Sequence, residues 1–304
     1  KRNKVEALYY LAQILAEFYG EYDESESILK NLVKKYPKNL LFNYSLANFY
    51  LNRSRLRDAD RILKKINSFK DISFNQLIRY SDLLSADLLF TKNDFESAIP
   101  LYEKFISDSS ESHYRGITAL RLGLCYAFLK DTLNAVKYFE MCDDGNPDID
   151  DDRYANYMGS RFIEEFPDSV RLKLFLIKNL ILSGRNEAAL DLLTTFPVTD
   201  VSKSVLAELN LYLSEVSYRL GAFRKSYSYA MSAAGNDSAE MWIYPFAYYY
   251  TARASLELKY ELEVQTYIDK ARDYSDYPLE NKLSNRLHAL EYKLEKLMEM
   301  KKQH

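Results

Sequence analysis

Glycine and proline are scarce in this chain, 8 and 7 among 304 residues, which leaves too few sharp reversals for a fold of strands and tight turns. Histidine and cysteine are scarcer still. Cys125, Cys142, His113, His288 and His304 are scattered too widely for a zinc motif or a disulfide framework. No apolar run reaches the roughly 20 residues that a bilayer-spanning helix needs. The strongest candidate, residues 172–182, is broken by Lys173, Lys178 and Asn179. A charge excess is missing too: 41 Lys and Arg meet 44 Asp and Glu, a net of -3, so nothing global draws the chain to nucleic acid or an anionic membrane. The chain begins at Lys1 rather than Met and reads as a fragment, so a leader or anchor would go unseen and the compartment, cytoplasmic or extracytoplasmic, stays open.

What remains is 47% hydrophobic and 28% charged, enough apolar material for substantial cores. Its arrangement is repetitive. A short polar turn, an aromatic two residues on and then apolar residues at helical spacing occur at 19–39, and again at 92–108. The same register returns after Lys130, Ser183 and Leu220, with weaker copies at 54–66 and 259–271. One slot of the pattern is always compact: Ser25, Ala59, Ala98, Ala135, Ala189, Ser226 and Val264, at separations of 34, 39, 37, 54, 37 and 38. Compact or apolar residues follow four and seven positions later, as in Leu29 and Leu32 or Phe139 and Cys142, which helical periodicity places on one face. A second helical pattern precedes each turn; Leu46, Ala47 and Tyr50 in one copy match Leu122, Gly123 and Tyr126 in another. Gly123 removes a side chain where a neighbouring helix presses closest, against a propensity cost of about 1 kcal/mol. The unit is therefore a helical hairpin, too short to persist alone and stabilised by stacking.

The pieces LGLCYAFLKDTLNAVKYFE, LANFYLNRSRLRDADRIL and LLFTKNDFESAIPLYEKFI, with proline-containing exits near Pro37 and Pro167, resemble tetratricopeptide repeats. The resemblance runs through seven pairs over about nine tenths of the chain. It implies an all-α, right-handed solenoid of antiparallel helix pairs. Residues 1–142 form a first block of about four pairs and 170–277 a second of about three. Between them, 143–169 is an acidic loop with an unpaired helix that interrupts the solenoid and changes its path. Residues 278–304 form a C-terminal capping or coiled-coil-like helix. In the acidic run, Asp143, Asp144, Asp148, Asp150, Asp151 and Asp152 lack the spacing of a twelve-residue calcium loop, and Gly145-Asn146-Pro147 reads as a solvated chain reversal. The seam Leu283, Leu287, Leu290, Leu294 and Leu297 reads as a cap over the last hairpin, with self-association through 279–300 as the alternative.

In the resembling family the first helix of each pair lines a concave face that binds peptides or partner helices. On this register the candidate protein-binding residues are Tyr10, Tyr44, Asn48, Asp87, Leu120, Lys178, Glu215, Arg219, Tyr249 and Arg253; Leu83, Leu124, Leu174 and Leu211 share that face. The family's terminal-carboxylate clamp is mostly missing, because Tyr44, Leu83 and Asp87 stand where basic residues are expected beside Asn48. Among 27 tyrosines, those around Trp242, Tyr244, Phe246, Tyr248, Tyr249 and Tyr250 cannot all face one core, so some meet a neighbour or a partner. Enzyme signatures are absent: there is no phosphate-binding loop, HExxH pair or nucleophile elbow, and His113 beside Ser110, Glu111 and Ser112 makes no oriented triad. Glu164 and Glu165 read as solvated surface, and the two cysteines as packing residues. The basic pieces are too dispersed to track phosphates. The reading is a noncatalytic protein-interaction module without cofactor or metal, an adaptor or scaffold; the alternatives are assembly through the solenoid ends and an accessory domain of a larger enzyme.

Overall fold

A computed structural model describes residues 2–69, 75–107, 113–199, 201–236 and 240–302. Among the described residues there are sixteen α-helices and no strand. The first eight are α1 (Arg2–Ile14), α2 (Tyr22–Lys35), α3 (Leu40–Asn52), α4 (Leu56–Asn67), α5 (Asn75–Thr91), α6 (Phe95–Ser107), α7 (Arg115–Phe128) and α8 (Thr132–Glu140). After them come α9 (Asp150–Glu164), α10 (Ser169–Leu182), α11 (Asn186–Thr194), α12 (Lys203–Arg219), α13 (Phe223–Gly235), α14 (Ile243–Glu257), α15 (Glu261–Arg272) and α16 (Glu280–Lys302). A π-turn at Leu15–Tyr19 extends α1, and a 3-10 turn at Met141–Asp144 extends α8. The chain forms two compact units, Lys1–Gln13 with Glu21–Gly184, and Ile14–Gly20 with Arg185–His304. The acidic segment 143–169 thus lies inside the first unit.

The hairpins share one turn. Gly20, Ser54, Asn93, Lys130, Gly184, Gly221 and Lys259 all take left-handed backbone, with φ between 59° and 77°. Each stands five residues before one of the seven compact slots, and all seven of those slots are completely buried. The left-handed residue stops the first helix. In five of these turns the next amide reaches back to the fifth residue before it: Arg55 N–H to the Tyr50 carbonyl (2.8 Å), Asp94 to Leu89 (3.0 Å), Asp131 to Tyr126 (2.9 Å), Ala222 to Ser217 (2.8 Å) and Tyr260 to Ser255 (2.9 Å). Where the compact slot holds serine, its hydroxyl region ties the two helices. Ser25 donates to the Ala12 carbonyl at 2.7 Å, and Ser214 donates to the Ser226 carbonyl at 2.9 Å. Side-chain caps start several helices: Asn39 for α3, Asp131 for α8, Asp168 for α10 and Ser202 for α12.

In the first unit, α3 packs with α4, α5 with α6, and α7 with α8, each pair also touching the next. Leu29, Leu46, Tyr50, Leu63 and Ile66 belong to one continuous core across the first pairs. Gly123 has the role its sequence context implies, since a Cβ there would lie 2.6 Å from the Phe139 ring. The acidic segment is less solvated than its composition suggests. Asp150 and Asp152 are buried, because α9 packs onto α7 and α8 rather than standing apart from them. Asp152 spends both oxygens on backbone: Oδ1 accepts from Ile117 N–H at 2.8 Å and Oδ2 from Asn146 N–H at 3.0 Å. It thereby caps α7, whose own N-cap, Tyr114, is left-handed and makes no side-chain cap. Burial nevertheless pushes the Asp152 carboxyl above its ordinary range. Beyond it, α10 returns to α5. Asn179, almost fully buried, donates to the Phe90 carbonyl at 2.9 Å and to Asn93 Oδ1 at 2.8 Å, in the turn between α5 and α6.

In the second unit α12 packs with α13 and α14 with α15, while α16 lies on α14, α15 and the segment Ile14–Gly20. Tyr19 meets His288 and Tyr292 with ring centroids 5.9 and 4.9 Å apart. Leu283, Leu287, Leu290 and Leu294 are buried, so most of the leucine seam is used within this unit, while Leu297 at its end is half-buried.

Two substitutions test these devices. Lys130→Gly relieves left-handed strain at an exposed turn and is expected to stabilise by about 0.5–1 kcal/mol in urea unfolding. Asp152→Asn puts an amide donor against backbone donors and is expected to cost about 1–3 kcal/mol, whereas Asp148→Asn, on the exposed part of the same segment, should change the unfolding midpoint little.

Candidate functional site

The ten residues proposed from sequence separate by unit. Tyr10, Tyr44, Asn48, Asp87, Leu120 and Lys178 belong to the first, and Glu215, Arg219, Tyr249 and Arg253 to the second. In the first unit few of them are available to a partner. Leu120 is buried, as are its register mates Leu83, Leu124 and Leu174; the long apolar side chains on these helices fill the core between hairpins. Asp87 is taken internally. It accepts from the Tyr102 hydroxyl at 2.8 Å and from Arg121 Nη1 at 2.6 Å, joining α5 to α6 and α7. Burial pushes its carboxyl up, with the Arg121 guanidinium opposing that shift. Asp87 is thus an inter-hairpin tie rather than a recognition group. Tyr44 is half-buried against Tyr80, ring centroids 6.4 Å apart, and Asn48 accepts from Asn52 at 3.3 Å. Lys178 sits over the Tyr154 ring at 5.1 Å, and only Tyr10 is fully exposed.

The second unit carries its candidates on two first helices, Glu215 and Arg219 on α12 and Tyr249 and Arg253 on α14. Arg219 pairs with Glu215 one turn away on α12 at 2.7 Å, and the two side chains are 30% and 19% exposed. Burial pushes the Glu215 carboxyl up, yet Arg219, Arg286 and the Tyr250 hydroxyl together hold it below the usual carboxylate range. Arg253 lies over Tyr218, its guanidinium carbon 3.8 Å from the ring centroid, and near Tyr249 and Tyr250 at 5.4 and 5.6 Å. The Tyr218 hydroxyl in turn donates to Glu257 at 2.9 Å. Arg286, on α16, is exposed, with its guanidinium 5.9 Å from the Phe246 ring. Tyr249 itself is buried beneath this layer, as is Leu211, so both support the face instead of contacting a partner.

Two members, Tyr218 and Arg286, went unread in the sequence, and Tyr250 was read only as one of the rings around Trp242. Tyr218 and Tyr250 sit beside proposed residues on the same helices, but helical spacing ranks faces without showing which ring a neighbouring arginine covers. Arg286 lies on the helix read as a cap, and its position beside Leu287 gave no sign that α16 lies on α14. The other sequence candidates for chemistry stay isolated. Cys125 and Cys142 are buried thiols that burial pushes well above the ordinary range. Glu164 and Glu165 are exposed, and so is His113, whose neighbours Ser110, Glu111 and Ser112 lie outside the described residues. Among the described residues, no group of three or more His, Cys, Asp or Glu is placed to hold a metal ion.

Comparison with known proteins adds the following. Residues 6–39 match the family model described as Tetratricopeptide repeat. No curated protein matches the chain. Among solved structures, the chain is similar to PilW, a widely conserved type IV pilus biogenesis factor, at 16% identity and a TM-score of 0.40, over 86% of this chain and 97% of that one. It is also similar to a tetratricopeptide repeat protein from Parabacteroides merdae at 13% identity and a TM-score of 0.39, over 95% and 99%. A third, the apo form of RapI, shares 14% identity at a TM-score of 0.37, over 94% and 79%. The family match covers the N-terminal hairpin, and the same left-handed turn and buried compact slot recur through the hairpins that follow.

Proposed function

We propose that the chain is a noncatalytic adaptor or scaffold that holds a protein partner on the α12 and α14 face of its second unit. The observation that carries this reading is that the Glu215–Arg219 pair and Arg253 over Tyr218 stand on the neighbouring helices α12 and α14. Rings and guanidinium groups already held in place lose little conformational freedom on binding, and they are the residue types that dominate protein recognition. The supporting helices are fixed by their hairpins, so the partner adapts to a preformed surface.

No described helix is long and apolar enough to cross a bilayer. Assembly through the solenoid end, the alternative raised by the leucine seam, is left only the C-terminal turns of α16, where Leu297 is half-buried and Met298 and Met300 are exposed.

Affinity capture from a lysate of the source organism, quantified by mass spectrometry for the parent chain and for Arg219→Glu combined with Arg253→Glu, tests the assignment. Specific partners are expected to fall by at least about tenfold with far-UV circular dichroism unchanged, because reversing charges at a recognition face converts attraction into repulsion. Equal recovery by the variant would place binding elsewhere on the molecule.

A further inference from the structure

A second set of rings stands elsewhere on the same unit. Tyr244 and Tyr248 are one turn apart on α14, Tyr267 and Lys270 are on α15 with Tyr274 just past its end, and Tyr227 is on α13. The five rings run in sequence. Tyr244 stacks on Tyr274 (5.7 Å between centroids, 9° between planes), and Tyr274 meets Tyr248 (6.2 Å, 36°). Tyr248 stacks on Tyr267 (6.2 Å, 17°), which meets Tyr227 edge-on (6.1 Å, 81°). Tyr267 is buried and anchors the run, while the other four are half-buried and keep part of their surface in solvent. Their hydroxyls are engaged: Tyr227 and Tyr267 share a hydrogen bond at 2.9 Å, Tyr244 donates to the Asn236 carbonyl at 3.1 Å, and Tyr248 bonds Tyr274. Lys270 is exposed, its ammonium 5.1 Å from the Tyr267 ring and 5.8 Å from that of Tyr248. Arg272 on the same helix pairs with Glu291 at 2.7 Å, but no carboxylate among the described residues pairs with Lys270; neighbouring Asp269 accepts from Gln265 at 2.9 Å instead. Tyr248 is turned about 100° round α14 from Tyr249, so this ladder is distinct from the α12 and α14 face.

We infer that the tyrosine ladder and Lys270 dock a proline-rich segment of a partner protein in polyproline II conformation, with an Asp or Glu of that segment placed on Lys270. Backbone chemistry selects the conformation. Rings whose hydroxyls are already bonded offer apolar surface and nothing for a peptide backbone to pair with. A β-strand would need a free sheet edge, and there is no strand among the described residues. A polyproline II segment makes no internal hydrogen bonds, keeps its backbone in water and enters the complex already ordered, so ring contact alone can hold it. At about 3.1 Å per residue, such a segment covers the ladder's four steps of 5.7 to 6.2 Å with about eight residues. Charge selects the rest. The Lys270 ammonium is positioned by two rings without being neutralised, which favours one carboxylate in the partner. One cation is too few to track the phosphates of a nucleic-acid strand. This surface lies beyond the proposed α12 and α14 face and does not depend on it.

The test titrates the full chain into fluorescently labelled, amidated synthetic peptides. Each is a proline-rich peptide of about eight residues with one Glu at a varied position. Every member has a Gln twin and a twin in which alanine replaces each proline. Glu members are expected to bind at least about tenfold more tightly than their alanine twins and about threefold more tightly than their Gln twins. The second difference should vanish at high salt and in Lys270→Gln. Tyr274→Ala, beyond the end of α15, should weaken Glu and Gln members alike by at least about fivefold with far-UV circular dichroism unchanged. Lys270 is exposed, so its variant tests the site even if Tyr274→Ala loosens the rings, and a Glu preference that persists in Lys270→Gln overturns the docking of the acid there. Equal binding of the alanine twins overturns the polyproline II assignment. Arg219→Glu combined with Arg253→Glu should leave peptide binding unchanged; loss of binding in that variant moves the peptide to the α12 and α14 face and overturns the ladder as its site. Saturable binding of a short oligothymidylate in place of every peptide, or no peptide binding at all, overturns the inference and leaves the α12 and α14 face as it stands.

Discussion

Everything in this fold rests on how closely two antiparallel helices can approach just after they turn. A residue in left-handed backbone ends the first helix, and five positions later a side chain no larger than valine lets the second helix press against it. That contact sets the angle at which the remaining apolar side chains meet, and so decides which residues are core and which are left on the first-helix face. The constraint is on the backbone, so residue identity at the turn is secondary: serine, asparagine, lysine and glycine all serve, although only glycine takes the conformation without strain.

The same logic explains what the sequence revealed and what it concealed. The seven compact slots were legible because they recur in register, and the structure buries every one of them completely. The turn residue five positions earlier was concealed, since Lys130 and Lys259 carry no compositional mark of left-handed backbone. Polar side chains were read least well. Asp152 sits in a run that looks solvated, and Asp87 on a register that looks like a binding face, yet each is spent inside the first unit. Helical periodicity identifies the face of a residue, while the partner that faces it comes from another hairpin. Glu215, Arg219 and Arg253 stand on α12 and α14 and keep part of their surface exposed. For Arg286 the register did not suffice, because α16 carries no turn and slot by which to align it with α12 and α14.

The two units illustrate opposite uses of buried charge. Asp87 with Arg121 and Asp152 with its backbone donors join elements that an apolar contact alone would leave free to slide, and a carboxylate with fixed donors accepts only one register. In the second unit Arg219 pairs with Glu215, while Arg253 rests on the rings of Tyr218, Tyr249 and Tyr250. Aromatic support holds a cation in position without neutralising it.

Asn179 gives the first unit a property that a simple stack of hairpins lacks. In an ordinary repeat array each hairpin touches only its neighbours, so the array can unravel from an end, one repeat at a time. Here an amide on α10 closes a loop of more than eighty residues onto the Phe90 carbonyl and Asn93. The intervening helices are bracketed by that closure, and α10 cannot detach while they stay intact without stranding a buried donor. Such a bracket ties melting of the terminal helix to melting of the middle of the unit, and it slows assembly by making the last contact a distant one in the chain.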